Sequence, residues 1–367
     1  FKPLDHPRVS GDVTIARDLR DHLIRAGHEL LDAPRLLTGN PPYAPKRRAE
    51  VARALAGTRR FLKAERPDAW LTYHTYYKAP DLSGPLAAAS GVPYAVFAPS
   101  DSPRRLLEPR TRCGALLNRR ALAAADLLLV NIARDLPALR ALQDAGGVTG
   151  HIVPLSPGLR TEDFTRDEAA RTRLRADWGV GDAPVVLAAA MMRPGVKAEG
   201  LEWVIRTCAR LADAGRDLTL VLAGDGAERE RLEAMAAGHL PGRSLSLGLV
   251  ERAAMPGVYS AADVLAFPGI DEALGMVYLE AQACGVPCVA WDHTGAPRAV
   301  AHGVGGLITP SWDADAFAEA LDRLLANADL RTAMGRAARR YVLEHHDIAR
   351  NYAVVERELR RISGGRA

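Results

Sequence analysis

Short apolar runs alternate along this chain with stretches whose apolar residues recur every three or four positions. Residues 13–30, "VTIARDLRDHLIRAGHEL", have the helical spacing and predict a helix that ends at Ala-Gly-His, before a strand-like run. "AWLTYH" (69–74), "VPYAVFA" (92–98) and "ADLLLVN" (125–131) read as strands, with a small-residue helix, "SGPLAAASG", closed by Gly91 between the first two. The segment 153–164, "VPLSPGLRTEDF", holds two prolines and a glycine and breaks the pattern, so the interdomain linker is placed there. The alternation then restarts. "PVVLAAAMM", "LTLVLAGDG", "ADVLAFPG" and "VPCVAW" are strands; "GLEWVIRTCARLADAG" and "ERERLEAMAAG" are helices; a helical tail runs from about Asp313 to Ile362. Strands that are nearly continuous and apolar belong to sheets covered by helices on both faces. The expected architecture is α/β, with two doubly wound, Rossmann-like domains and a cleft between them. The boundaries are residues 1–155, 156–345 and a final helix, 346–367, that could return to the first domain. Ligands of such sheets bind beyond the carboxyl ends of the strands.

One stretch carries most of the chemistry. In "GIDEALGMVYLEAQACGVPCVAW" (269–291) two glutamates, Glu272 and Glu280, stand eight residues apart. The strand before it ends at Pro268, and a helix is expected from Leu274 or Gly275 to Ala283. Glu272 then lies just before the helix and Glu280 about two turns inside it. Free amides at Gly275, Met276 and Val277, with the positive end of the helix dipole, make an anion site, and Gly275 lets a ligand approach the backbone. A carboxylate beside an anion site does not bind phosphate, but it does accept hydroxyl hydrogen bonds. Two of them flanking a phosphate site suit a ligand with a sugar at each end, a nucleotide-sugar. Taken singly, Glu280 also reads as a solvated helix residue and Glu272 as a helix cap.

This E-x7-E spacing, followed by small residues and a Gly-x-Pro strand, resembles the retaining GT-B glycosyltransferases of family four, a group that includes bacterial mannosyl- and glucosyltransferases. "LVLAGDGAERERLE", "LGLVERAAMPGVYSAADVLAFPGIDEALGMVYLEAQACGVPCVA" and "GVGGLITPSWDADAFAEAL" extend the resemblance over nearly the whole C-terminal half, and "SGDVTIARDLRDHLIRAGHEL" resembles the family's glycine loop and first helix. The resemblance implies that Glu272 holds hydroxyls of the donor sugar, that Leu274 and the amides of Gly275, Met276 and Val277 hold sugar and diphosphate, and that Glu280 holds the ribose. Leu249 and Val250 would lie against the base, and Gly11 would face the diphosphate. Lys197 matches the family's lysine for the phosphates. The arginine usual five or six residues earlier is replaced by Met192 and Met191; Arg193, four residues before Lys197, is the candidate substitute. The histidine that many relatives carry after the strand "YAVFAPSDS" is also missing, and His74 at another strand end is the acceptor-side candidate. The implied activity is hexosyl transfer with retention, without a catalytic metal or other cofactor, from a nucleoside diphosphate donor to an unidentified acceptor. Uridine is the expected base, by family frequency. A nucleotide-sugar epimerase on the same fold and a non-catalytic nucleotide-sugar-binding protein stay open as alternatives.

Composition narrows the picture. The 367 residues are 48% apolar and 25% charged, enough for two or three domains. Residues 1–155 hold 23 Lys and Arg against 15 Asp and Glu, whereas the remainder hold 25 against 29. The densest basic stretch contains Arg104, Arg105, Arg110, Arg112, Arg119 and Arg120 against Glu108. It reads either as a solvated helix face or as a patch for anionic lipid headgroups or a phosphorylated acceptor. With 5% aromatic residues and no recognisable motif, nucleic acid is not an expected partner. No run reaches the roughly 18 apolar residues of a membrane span. The chain opens on Phe1 rather than Met, so residues before it are expected; no secretory signal is visible. The four cysteines form no C-x-x-C pair and are expected to be reduced and partly buried, in a cytoplasmic protein that could sit at the inner membrane face. "DAD" at Asp313–Asp315 follows Trp312 at a helix start and is expected to be an N-cap rather than a metal site.

Overall fold

The computed structural model describes residues 11–34 and 47–364. In chain order the first elements are α1 (Gly11–Arg25), α2 (Arg48–Glu65), β1 (Trp70–Thr75), α3 (Gly84–Ala89), β2 (Tyr94–Pro99), α4 (Arg104–Leu107), α5 (Pro109–Ala124), β3 (Leu127–Val130), α6 (Leu136–Asp144) and β4 (His151–Pro154). There follow α7 (Glu168–Asp177), β5 (Val185–Ala189), α8 (Val196–Asp213), β6 (Thr219–Ala223), α9 (Arg229–His239), β7 (Ser244–Ser246), α10 (Met255–Ala261), β8 (Val264–Ala266), α11 (Met276–Ala283), β9 (Cys288–Trp291), α12 (Ala296–Ala299), β10 (Gly306–Thr309), α13 (Ala314–Ala326), α14 (Ala328–His345) and α15 (Ile348–Ile362). They form two compact units, Phe1–Leu155 with Ala349–Ala367, and Ser156–Ile348.

In the first unit β1 to β4 lie side by side in chain order, all parallel, with Leu71 opposite Ala95 and Leu128 opposite Ile152. β2 and β3 are buried at every position, because they are the inner strands and their Tyr94–Phe97 and Leu127–Val130 side chains face helices on both sides. The strand expected after Gly27 does not form, and residues 28–34 are irregular. Among the described residues no strand pairs with the outer edge of β1, and a strand without a ladder partner has nothing to satisfy its backbone. α15 belongs to this unit: the Tyr352 hydroxyl donates to the Ile15 carbonyl at 3.1 Å, and its ring packs edge-on against Phe97.

The second unit has six parallel strands in the order β10-β9-β8-β5-β6-β7. Winding goes outward in one direction from β5 and in the other from β8, so the switch point lies between these two strands, which pair through Leu187 and Leu265. A buried clamp fastens this seam. Asp263, just before β8, accepts from Arg171 and Arg175 of α7 at 2.8 and 2.9 Å and from the Val185 amide at 2.8 Å. Burial opposes its charge, but Arg171, the Val185 amide and Arg175 outweigh it and hold the carboxyl below its ordinary range. Asp313 caps α13, accepting from the Ala316 amide at 2.9 Å, and Asp315 pairs with Arg210. "DAD" is therefore built as a helix start. The four thiols are free; three are buried, but Cys113 is exposed on α5.

The two ends of the second unit run together. Leu159 donates to the His346 carbonyl at 2.7 Å and accepts from Ile348 at 2.9 Å, and the Thr161 hydroxyl donates to Asp347. The buried His346 ring meets the Pro157 carbonyl at 2.9 Å through Nδ1, while its Nε2 has no partner among the described residues. Burial lowers the affinity of this imidazole for a proton; the Pro157 carbonyl opposes that shift, and His345 and Arg298 reinforce it. The unfolded chain therefore takes up the proton first. Stability is full above the ordinary imidazole value and is lost as pH falls through it towards the lower folded value. Denaturant melts should show this loss in the parent protein, and His346→Gln should flatten it. An unchanged pH slope in that variant would remove His346 as the cause.

Candidate active site

The loop after β8 is tightly wound. Gly269 and Asp271 have φ of 79° and 52°, and Gly275 closes the loop in the left-handed region at 71°. A side chain at Gly275 would also meet the Ala299 methyl at 2.8 Å, so the glycine serves the turn and close packing on α12. The helix begins at Met276, later than the expected Leu274 or Gly275, with Gly275 as its N-cap. One of the three amides expected to be free is not. The Gly275 amide donates to Glu272 Oε1 at 3.4 Å, whereas those of Met276 and Val277 have no partner among the described residues. Glu272 itself is fixed by its backbone: its amide donates to the Gly269 carbonyl at 3.0 Å and its carbonyl accepts from Gly295 at 2.7 Å.

Lys197 stands in the first turn of α8, one residue inside a start made by Gly195 at φ 92°. Its ammonium donates to Glu272 Oε2 and lies 5.3 Å from the centre of the Phe267 ring. Lys197, Glu272 and the N-terminus of α11 thus meet beyond the carboxyl ends of β5 and β8, at the switch point. Met192 is fully buried there; its amide and carbonyl bond Asp225 and Glu228 in the glycine turn after β6, where a side chain on Gly224 would strike the Ala190 carbonyl at 1.9 Å. A guanidinium cannot occupy Met192's place without burying an unpaired charge. Met191 and Arg193 on either side are exposed, and Arg193 has no side-chain partner among the described residues.

Glu280 is not a solvated helix residue. Its side chain is 12% exposed and is held at both oxygens, by Arg252 at 3.0 Å and by the Tyr259 hydroxyl at 2.8 Å. Arg252 in turn lies over the Phe164 ring at 5.0 Å. Burial raises the Glu280 carboxyl above its ordinary value, with Arg252 and the Tyr259 hydrogen bond opposing the shift. Each carboxylate oxygen retains a second lone pair, so the group can still accept from a ligand hydroxyl. Arg252 and Tyr259 lie 28 and 21 residues before Glu280, with no motif joining them, so no sequence signal marks them as its partners. Leu249 is 72% exposed after Gly248, Val250 packs on the core, and Leu274 is half-buried in the loop.

The first unit carries the other two candidates. His74, at the end of β1, has a φ of 63°, and its Nδ1 lies 2.8 Å from the Ala98 carbonyl with the ring against Tyr76. Gly11 opens α1, while Ser10 of the same glycine loop lies outside the described residues.

Two parallel α/β sheets, with a lysine, a carboxylate and a helix N-terminus at the switch point of the second, define the GT-B type of fold. Known proteins agree. The profile of the family described as "Glycosyl transferases group 1" matches residues 174–341, which include the candidates from Arg193 to Glu280. The chain is 35% identical over 217 residues to a GDP-mannose-dependent alpha-(1-6)-phosphatidylinositol monomannoside mannosyltransferase of Mycolicibacterium smegmatis, covering 55% of this chain and 54% of that protein. It is 32% identical over 329 residues to a D-inositol 3-phosphate glycosyltransferase of Saccharomonospora viridis, covering 82% and 73%. The fold superposes on sucrose-phosphate synthase from Thermosynechococcus elongatus with a TM-score of 0.69 at 21% identity, over 97% of this chain and 94% of that one. The chain belongs to the group 1 glycosyltransferases. It spans about half the length, 54%, of the mannosyltransferase it matches.

Proposed function

We propose that this protein transfers a hexosyl group from a nucleoside diphosphate sugar to an acceptor, with retention of configuration and without a catalytic metal. The observation that carries the reading is the convergence of Lys197 and the Gly275 amide on the Glu272 carboxylate, beside the free Met276 and Val277 amides. These groups suit a diphosphate leaving group: an ammonium and two amides stabilise the charge that develops as the glycosidic bond breaks. Glu272, released from Lys197 by the diphosphate, accepts from sugar hydroxyls and orients the ring. Glu280 accepts from the ribose. Uridine is the base expected from family frequency, while the mannosyltransferase relative carries GDP-mannose in its name.

The test is a thermal-shift panel of UDP- and GDP-hexoses, since a bound ligand raises stability by mass action, followed by product analysis with and without EDTA. One nucleotide series should stabilise the protein, and transfer should persist in EDTA with the donor's anomeric configuration retained. Failure of every nucleotide-sugar to bind would overturn the reading. Conversion of donor without an acceptor would make the protein an isomerase, and stable binding without turnover across an acceptor panel would make it a binding protein. Arg193→Ala should lower kcat more than it raises donor KM, by about tenfold, because an exposed guanidinium must first order itself over the phosphate. Parent-like turnover in this variant would leave the diphosphate to Lys197 and the amides.

A further inference from the structure

Helices α4 and α5 present a face that the candidate donor site does not use. On α5, Arg112, Cys113, Leu116 and Arg120 are exposed, at spacings of one, three and four, and so share one side of the helix. The opposite side, with Gly114, Ala115, Asn118, Ala121 and Leu122, is buried in the first unit. Two leucines stand out in water: Leu107, the last residue of α4, is 83% exposed and Leu116 is 54% exposed. The acids nearby are used up by other arginines: Glu108 pairs with Arg104 at 3.4 Å and Arg105 at 2.7 Å, and Asp101 with Arg119 at 2.8 Å. Arg110, Arg112 and Arg120 form no ion pair among the described residues. Lys78 and Arg105 both lie over the Tyr77 ring, at 5.7 and 4.7 Å from its centre.

Lone surface leucines are ordinary, and arginines alone suit any polyanion. Leucines standing out among unpaired arginines suit a narrower partner, the boundary between phosphate headgroups and acyl chains. There guanidinium groups remain at the phosphates while apolar side chains enter the layer beneath. A polynucleotide would use the arginines but not the leucines, and α5 offers no aromatic side chain on which bases could stack. Among the described residues no helix is long and apolar enough to cross a membrane, so any attachment through this face is peripheral. We propose that the exposed face of α4 and α5 docks on an anionic lipid bilayer, with Leu107 and Leu116 entering the interface and Arg112 and Arg120 at the phosphates.

The test is co-sedimentation of the full chain with vesicles of phosphatidylglycerol and with vesicles of phosphatidylcholine. Binding should be confined to phosphatidylglycerol and should weaken as salt screens the charges. The Arg112→Ala/Arg120→Ala variant should bind about 25-fold more weakly, at about fivefold for each charge near the surface. Leu107→Ser should cost about tenfold on the same vesicles through lost apolar burial. Both variants should keep the parent's melting temperature, and vesicle binding is read without any nucleotide-sugar, so this result does not depend on the donor reading. Equal binding to both vesicle types, parent-like binding by either variant, or binding to heparin without binding to vesicles would each overturn the proposal.

Discussion

Lys197→Ala is expected to lower kcat by about 10²- to 10³-fold, the loss typical for one preorganised donor to a developing anion. Three features put the charge where the proposed transfer would use it. The first turn of α8 brings the side chain to the switch point, Glu272 and the Phe267 ring fix its end, and the α11 amides lie beside it. Such a group binds the departing diphosphate more strongly than the intact donor, so kcat should fall further than donor affinity. Lys197→Arg should recover part of the rate, because the charge returns with a different reach. The competing explanation is structural: removing the ammonium leaves the Glu272 carboxylate with the Gly275 amide alone, which could loosen the loop. The Lys197→Ala/Glu272→Ala pair separates the two. If Lys197 serves only to neutralise Glu272, the double variant regains activity relative to Lys197→Ala, and the role in leaving-group stabilisation is lost.

Glu280→Ala should weaken donor binding by about 10- to 150-fold, the equivalent of about 1.5–3 kcal/mol for a hydrogen bond to a charged group. Arg252 and Tyr259 hold the carboxylate still, so Tyr259→Phe should weaken donor binding by a smaller factor without changing the chemistry step. The pH dependence follows from the same contacts. Burial holds the Glu280 carboxyl above its ordinary value, so donor affinity should climb as pH rises through that raised value, where the better acceptor forms. Arg252→Ala removes the charge that opposes the shift and should move the climb to higher pH. Titrating donor affinity against pH in the three variants checks this. A Glu280→Ala variant that binds donor like the parent would take Glu280 out of the site.

Much of the second unit could be read directly from the chain because its strands are unusually uniform. β5, β6 and β9 are buried apolar runs bounded by glycine or proline, and period alone is enough to place them. β7 escaped notice because it is three half-buried residues, Ser-Leu-Ser, and β4 was merged with the linker because its exposed ends and Pro154 look like a break. At the site, Glu272, Gly275, Lys197 and Glu280 were legible as a spacing. Their partners were not. Lys197 and Glu272 are 75 residues apart, and only the order of strands brings them together. The same holds for Arg252 and Tyr259, whose roles depend on the approach of α10 to α11. Met192 looked like a missing cation; the fold uses it as buried packing whose backbone anchors the turn after β6.

On the proposed reading, the ion pair between Lys197 and Glu272 would also bear on which anions the site admits. The ammonium and the Gly275 amide hold a carboxylate that is tethered by a few residues of chain and is therefore present at an effective concentration of about millimolar order or above. A chloride ion or a simple monoester has to displace this resident competitor with little to offer in return. A diphosphate would bring more charge, and its attached sugar would give the displaced Glu272 new hydroxyl partners. The loop at Gly269–Gly275 would then discriminate against small free anions, which have no such compensation to offer for parting Glu272 from Lys197.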